Sequence, residues 1–312
     1  MGKAMTGKIS VIGAGNVGAA CVQRIVERGY ADVVLVDIIE GLPQGKSLDI
    51  LESMPVLNCD RHISGTNSYQ ETADSDVVVI TSGVSRKLDM TREELLQTNM
   101  NIVAGVTRNV VSHSPNCIII MVTNPLDAMT HLALRTSQLP RNRVMGLSGV
   151  LDTARLRSFI AAELDVSVED VFACIVGQHG EKMVILPRLC TVCGIPIVKL
   201  LPQETINRLV EHTLKAGAEV IGLLKTGSAF YAPSAGVAQM VEAIILDKKQ
   251  ILPCATCLDG EYGIKDTVIS VPVKLGKSGI EQIIELELTT EEKSALTDSA
   301  RAVQELIKVM RR

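Results

Sequence analysis

Three places in the 312-residue chain hold side chains whose types and spacing suit chemistry. One is a histidine enclosed by glycines, Gly177-Gln178-His179-Gly180, directly after the apolar run DVFACIV. A lone histidine is more often structural than reactive. A second is Leu151-Asp152-Thr153-Ala154-Arg155 at the start of a helical stretch, where Asp152 and Arg155, three apart, project from one face. An acid that orients an imidazole and a guanidinium that grips a carboxylate would together make an acid/base site for a hydroxy acid. The third is Gly13-Ala14-Gly15-Asn16-Val17-Gly18, a G-x-G-x-x-G that lies between the strand-like KISVI and the helix-like VGAACVQRIVERG. In that context the first glycine permits a tight turn and the second lets a pyrophosphate approach the backbone. The third allows close helix packing, with the helix N-terminus facing the phosphates. Asp37, 19 positions beyond Gly18, ends the next strand. A carboxylate there accepts hydrogen bonds from ribose hydroxyls and repels a 2′-phosphate, so the expected cofactor is NAD.

These groups need a scaffold, and the apolar pattern supplies one. KISVIG, VVLVDI, DVVVITSG and CIIIMVTNP alternate with amphipathic stretches up to about Gly146, which is βαβ repetition. The strands are nearly continuous apolar runs, as in a parallel sheet covered on both faces. Such sheets bind ligands at the carboxyl ends of their strands, where Gly13, Asp37, Ser82-Gly83 and Asn124-Pro125 stand. After Gly146 the pattern changes to helical stretches at 151–164, 203–224, 233–246 and 290–310 with β-like stretches at 171–176, 251–258 and 267–275. The expected fold is α/β: an N-terminal Rossmann doubly wound parallel sheet, residues 1–148, and a C-terminal α+β substrate domain, residues 149–312. No low-complexity linker separates them, so a broad shared interface with the site between them is expected.

Composition narrows the function. A net charge of -4 and 2% aromatic residues leave neither a basic field nor stacking platforms for nucleic acid. No run approaches the roughly 20 apolar residues of a membrane span, and MGKAMTGKIS leads into a strand without an apolar signal region, so a cytoplasmic protein is expected. MGKAMT fits the loose myristoylation pattern, but a core strand follows almost at once. Eight cysteines suit a reducing compartment. Cys190-x-x-Cys193 and Cys254-x-x-Cys257 have zinc-like spacing, yet the second pair falls in a strand-like stretch where residues three apart face opposite sides, so no metal is expected.

GAGNVG, VDI, SGVSRKLDMTREELL, VTNPLD, LSGVLDTAR, GQHGEKMV and KTGSAFYAP occur in the order and spacing of the lactate/malate dehydrogenase family, which the chain resembles from about Lys8 to its C-terminal helix. The resemblance is greatest to the lactate-dehydrogenase-like branch of malate dehydrogenases. It implies that His179 takes the proton of the substrate hydroxyl, that Asp152 orients His179, and that hydride passes to NAD. It also implies that Arg155 binds the C1 carboxylate bidentately, as lysine could not. Arg92 would polarise the carbonyl, Asn124 would hydrogen-bond the substrate nearby, and Asn99 with the Val122-Thr123-Asn124 backbone would lie along the cofactor.

The family places glutamine at the position of Arg86 in lactate dehydrogenases and arginine in malate dehydrogenases. A desolvated arginine pairs well with the second carboxylate of malate or oxaloacetate, whereas pyruvate's methyl would leave it buried and unpaired. The expected activity is therefore reversible conversion of (S)-malate and NAD to oxaloacetate and NADH. Gly83 to Glu94 is expected to be a lid that carries Arg86 and Arg92 onto the substrate. Lys87-Leu88-Asp89 departs from the family's Lys-Pro-Gly, which alters lid flexibility and adds a negative charge. Gln178 for the usual glycine is a milder departure. A lactate dehydrogenase or broad 2-oxoacid reductase remains an alternative, as does a silent NAD(H) sensor. A homodimer or homotetramer is expected, with 41–54 and 151–164 available for packing.

Overall fold

The structure, a computed structural model, describes residues 7–84 and 92–310, without the side chain of Arg92. Arg86, most of the expected lid and the MGKAMT start lie outside the described residues.

The first half alternates strand and helix: β1 (Gly7–Ile12), α1 (Asn16–Glu27), β2 (Ala31–Val36), α2 (Leu42–Ser53), β3 (Ile63–Thr66), β4 (Val77–Ile80), α3 (Arg92–His113), β5 (Ile118–Met121), α4 (Leu126–Ser137) and β6 (Val144–Gly146). Its strands are all parallel, in the order β3-β2-β1-β4-β5-β6. The chain order reverses between β1 and β4, and the crevice at that switch point is where such sheets take ligands. Val77, Val78, Val79 and Ile80 are wholly buried, because helices cover both faces of the sheet. α1 seats on it through Gly18, Cys21, Val22, Ile25 and Val26, a helical stripe of buried residues. Each fully buried Val or Ile in such a stripe contributes about 1.5–3 kcal/mol.

The second half contains α5 (Gly149–Leu164), β7 (Val171–Phe172), β8 (Ile175–Gly177), β9 (Met183–Ile185), β10 (Thr191–Val192), β11 (Ile195–Pro196), α6 (Ile197–Leu200), α7 (Gln203–Leu224), α8 (Tyr231–Ile245), β12 (Gln250–Asp259), β13 (Lys265–Gly276), β14 (Gly279–Ile283) and α9 (Thr290–Met310). Its strands pair antiparallel, and most continue the first sheet: β12 joins β6 through Ala255 and Gly146, followed by β13, β8 and β9, with β14 beside β13, while β11, β10 and β7 form a small separate sheet. One apolar core accordingly runs from Ile9 in β1 to Ile307 in α9, with a smaller cluster between α5 and α7. Cys254 and Cys257 sit in β12 as buried core residues, and burial raises both thiols. Cys190 is buried in the smaller cluster, while Cys193 is exposed.

Candidate active site

The nucleotide end is shaped by side chains that are missing. A Cβ on Gly18 would lie 1.8 Å from the Gly13 carbonyl oxygen, so only glycine lets α1 start this close to the turn. Gly13 has φ +110°, and its Cβ would meet the Ser82 nitrogen at 2.8 Å. Gly15 is different: its φ is -66°, and a Cβ there would meet nothing within 4 Å. Neither its conformation nor the protein's own packing requires glycine at this point. A phosphate group against the backbone does require it, so the loop fits the pyrophosphate of a dinucleotide.

Asp37 is half-buried at the end of β2, where Oδ2 accepts from the Ala14 amide at 2.6 Å and Oδ1 from the Ile39 amide at 3.0 Å. Its carboxylate thus ties the glycine loop to the next strand while retaining lone pairs for ribose hydroxyls. Asn67, overlooked in the sequence, supports the same corner by donating from Nδ2 to the Asp37 and Ile39 carbonyls at 2.8 and 3.0 Å. A cleft of about 380 Å³ opens beside Gly13, Gly15, Asp37, Ile39, Tyr69 and Val84. Ile38 at its rim is 92% exposed, an apolar surface of the kind that a purine ring covers. Asn16 and Val17 open α1, next to Gly15.

Asn99, buried in α3, gives its whole amide to the backbone. Oδ1 accepts from the Val84 amide at 2.8 Å, and Nδ2 donates to the Val84 and Asn124 carbonyls at 3.2 and 2.8 Å. It ties the Val84 segment, which lines the cleft, to the segment at Asn124. Thr123 does similar work, donating to the Ser82 carbonyl at 2.7 Å, while Val122 is half-buried and Asn124 is exposed at the end of β5.

The chemical end is built from buried charge. β6 passes into α5 through Ser148, a non-glycine residue at φ +27°, and Gly149 makes the tight entry possible because a Cβ there would lie 2.2 Å from Ser270 Oγ. Three residues later Asp152, 1% exposed, bridges two basic side chains. Its Oδ2 lies 2.7 Å from His179 Nδ1, and its Oδ1 accepts from Arg155 Nη1 at 3.2 Å. A carboxylate can only accept, so Nδ1 carries the proton and Nε2 keeps its lone pair free to act as a base. Burial works against a charged His179, but the Asp152 carboxylate, reinforced by Asp127, outweighs it and raises the imidazole above its ordinary value. Arg155, with 15% of its side chain exposed, keeps donors beyond the one given to Asp152. Gly217 of α7 faces it, the position of its absent Cβ lying 3.6 Å from the guanidinium.

Asp127 also belongs to this cluster, although the sequence reading did not single it out. It is 3% exposed in the first turn of α4, and its Oδ2 accepts from the His179 amide at 2.8 Å. Burial, only partly offset by His179, pushes its carboxyl up to about 7. The structure therefore brings Asp152, Arg155 and His179 together and places the glycine loop and Asp37 along the crevice, while Asn99 and Thr123 lie behind it, hydrogen-bonded to Val84 and Ser82 of its lining. Arg86 and the Arg92 side chain are outside the described residues.

Comparison with known proteins agrees in both halves. Residues 7–146 match the family model described as lactate/malate dehydrogenase, NAD binding domain, and residues 149–311 match the lactate/malate dehydrogenase alpha/beta C-terminal domain. A malate dehydrogenase of Thermomicrobium roseum is 54% identical over 98% of this chain and 99% of its own. One of Chlorobium luteolum is 52% identical over 96% of each. Among solved structures, the malate dehydrogenase of Salinibacter ruber superposes with a TM-score of 0.94 at 50% identity, covering 98% of both chains. The Cryptosporidium parvum lactate dehydrogenase complexed with lactic acid and NAD gives 0.95 at 40% identity, again over 98% of both. With both domain models matched in sequence order and relatives above half identity end to end, the chain belongs to the lactate/malate dehydrogenase family.

Proposed function

We propose that this chain is an NAD-dependent malate dehydrogenase, an oxidoreductase that interconverts (S)-malate and oxaloacetate. The observation that carries the chemistry is the Asp152–His179 pair at 2.7 Å with Arg155 on the other carboxylate oxygen. His179 Nε2 takes the hydroxyl proton of malate, and Asp152 holds the ring's tautomer and stabilises the imidazolium that results. Arg155 anchors the C1 carboxylate, which fixes C2 beside His179. NAD would be held along Gly13–Gly18, by Asp37 at its ribose and by Asn99 and Val122–Asn124 at its far end, and would supply the hydride acceptor. In the reverse direction the imidazolium returns the proton to the ketone oxygen, where Arg92 and Asn124 stabilise developing charge.

The residue type at Arg86 supports a dicarboxylic substrate, and the Thermomicrobium roseum and Chlorobium luteolum relatives, both above 50% identity, are malate dehydrogenases. The division of labour follows the chain, with 1–148 binding NAD and 149–312 supplying the catalytic and substrate groups. A cytoplasmic setting is supported by eight free cysteines and by the finding that, among the described residues, no helix is long and apolar enough to cross a membrane. Assembly into a homodimer or homotetramer is supported by α2, which leaves Leu48 and Leu51 56% and 39% exposed. NADH oxidation with oxaloacetate, pyruvate and a blank run in parallel tests the reading. Oxaloacetate should be strongly preferred; equal or greater turnover of pyruvate would favour the lactate reading, and binding of NADH without turnover of either would leave a sensor.

A further inference from the structure

The His179 loop is gripped by its backbone as well as by its ring. Two consecutive amides point to side chains from opposite halves of the chain: Gln178 N–H donates to Ser299 Oγ of α9 at 2.7 Å, and His179 N–H donates to Asp127 Oδ2 of α4 at 2.8 Å. Ser299 shows that a neutral oxygen satisfies such an amide at little desolvation cost. Asp127 does the same task with a buried carboxylate, which is far more costly, and its Oδ1 meets no hydrogen-bond partner among the described residues. The charge therefore needs a reason beyond one hydrogen bond.

Charge balance around the ring provides that reason. The groups that act on His179 are Asp152 and Arg155 from α5 and Asp127 from α4, while α9 offers the neutral Ser299. Those that act on Asp127 are His179 and Asp152. Asp152 and Arg155 cancel each other to first order, so an imidazolium beside them alone would leave the buried cluster with a net positive charge. Ionised Asp127 makes it neutral. The residue is also well placed along the chain: it follows Asn124 by three positions, and the Asn124 carbonyl is fixed by Asn99 Nδ2 at 2.8 Å. A single short segment thus runs from the cofactor edge to the histidine's amide.

We propose that Asp127 is a positioning residue for proton transfer, a second buried carboxylate that fixes the His179 backbone from the cofactor side and balances the imidazolium against Arg155. The inference rests on His179 being the acid/base group. Protonation of the ring favours ionisation of Asp127 and the reverse, so the two groups titrate as a coupled pair.

Asp127→Asn tests it, because asparagine keeps the shape and an oxygen for the His179 amide but carries no charge. The acid limb of kcat/KM for malate oxidation should move down by about one pH unit, since the neutral ring is no longer delayed by that carboxylate. kcat/KM on the plateau should fall about tenfold, with NADH affinity held within about twofold. Ser299→Ala, which removes the neutral clamp, should lower the rate without moving the limb. An Asp127→Asn enzyme whose limb coincides with that of the unaltered protein overturns the proposal, whatever its rate. His179→Asn separates the two readings: if it stays active the acid/base assignment itself fails, whereas a dead His179→Asn beside an unshifted Asp127→Asn sinks only the present inference. Should Asp127→Asn fail to fold, the His179 ring resonances of the unaltered protein can be titrated by NMR from about pH 5 to 9. Two inflections are expected from the coupled pair, and a single one refutes it.

Discussion

The two ends of the crevice are made by opposite means. At the nucleotide end the decisive features are absences: Gly13 and Gly18 have no room for a side chain, Gly15 leaves room for a ligand, and the rim at Ile38 is apolar and uncovered. At the chemical end the decisive features are charges packed out of water, with Asp127 and Asp152 both nearly inaccessible around His179. A cofactor that must come and go is met by shape and backbone, which cost little when it leaves. A proton that must move at every turnover is met by groups whose electrostatics are fixed in advance. Substitutions at the first end should therefore change binding or folding, and those at the second should change rate, specificity and pH dependence.

The strongest way to sharpen that contrast is Arg86→Gln, which removes the cation expected to read the second carboxylate without touching the catalytic pair. Each effect, loss of the oxaloacetate partner and relief of pyruvate, is worth about 2–4 kcal/mol, so the ratio of kcat/KM for oxaloacetate over pyruvate should fall by about a thousandfold or more. Asp89, three positions after Arg86 in the sequence, adds a negative charge that would oppose an anionic substrate if it came near, which makes the direction firmer than the size. An unchanged ratio at saturating NADH would remove Arg86 from substrate recognition. Next comes His179→Asn, for which turnover should drop by about 10²–10⁴-fold while NADH affinity stays nearly constant. In the unaltered enzyme the raised imidazole fixes the signs: malate oxidation needs the neutral ring and fades as pH falls through the raised value, whereas oxaloacetate reduction needs the protonated ring and fades as pH rises through it. Parallel pH profiles in the two directions would contradict the assignment.

Legibility in the sequence followed the same divide. The glycine loop, Asp37 and the apolar strands could be read because they carry local patterns, a fixed glycine spacing and a period set by one element. Asp152 and Arg155 were readable as a pair because they share a helix face. What joined them to His179 was the family resemblance, since the contact between Asp152 and His179 spans 27 positions and no local rule predicts it. Asp127 closes the VTNPLD segment, but its role is not legible there, because an acid in a first helical turn is ordinary helix-dipole chemistry until the turn proves to be buried. β6 escaped because three buried residues before a helix show no period, and with it went the continuation of one sheet through both halves by the Ala255–Gly146 pairing. α2 was anticipated as a stretch with a free apolar face, and it does leave Leu48 and Leu51 exposed.

A paired substitution tests the claim that the nucleotide end works by absence. Gly18→Ala puts a methyl 1.8 Å from the Gly13 carbonyl and should cost about 1–3 kcal/mol of stability, visible as a lower denaturant midpoint before any cofactor is added. Gly15→Ala meets open space and should leave the midpoint of the free protein unchanged. Its effect should appear only with cofactor, as a fall in NADH affinity of about tenfold or more, corresponding to at least about 1.4 kcal/mol. If Gly15→Ala binds NADH normally, the pyrophosphate does not lie against this part of the loop.

The smallest expected effect asks what the buried charge at the chemical end costs the fold. Burial raises Asp127 from an ordinary value of 3.8 to about 7, so the folded protein holds this proton more tightly than the unfolded chain does. A raised folded-state pKa contributes stability that is complete below 3.8 and is lost as pH rises through about 7. Above that window the ionised carboxylate is a net burden on the fold. Asp127→Asn removes the titration, and the difference in unfolding free energy between mutant and unaltered protein should drift in the mutant's favour by about 1–3 kcal/mol between pH 5 and 8. The new amide places an NH₂ group where Oδ1 has no partner, and that desolvation cost lowers the mutant's stability equally at both pH values, so the drift rather than the absolute difference reads the carboxylate. Urea unfolding of both proteins at the two pH values decides the matter. A mutant that gains relative stability at pH 8 while losing activity would mark Asp127 as a residue kept for turnover at the expense of the fold; a difference that does not change with pH would mean that the carboxylate is not the titrating burden that its burial indicates.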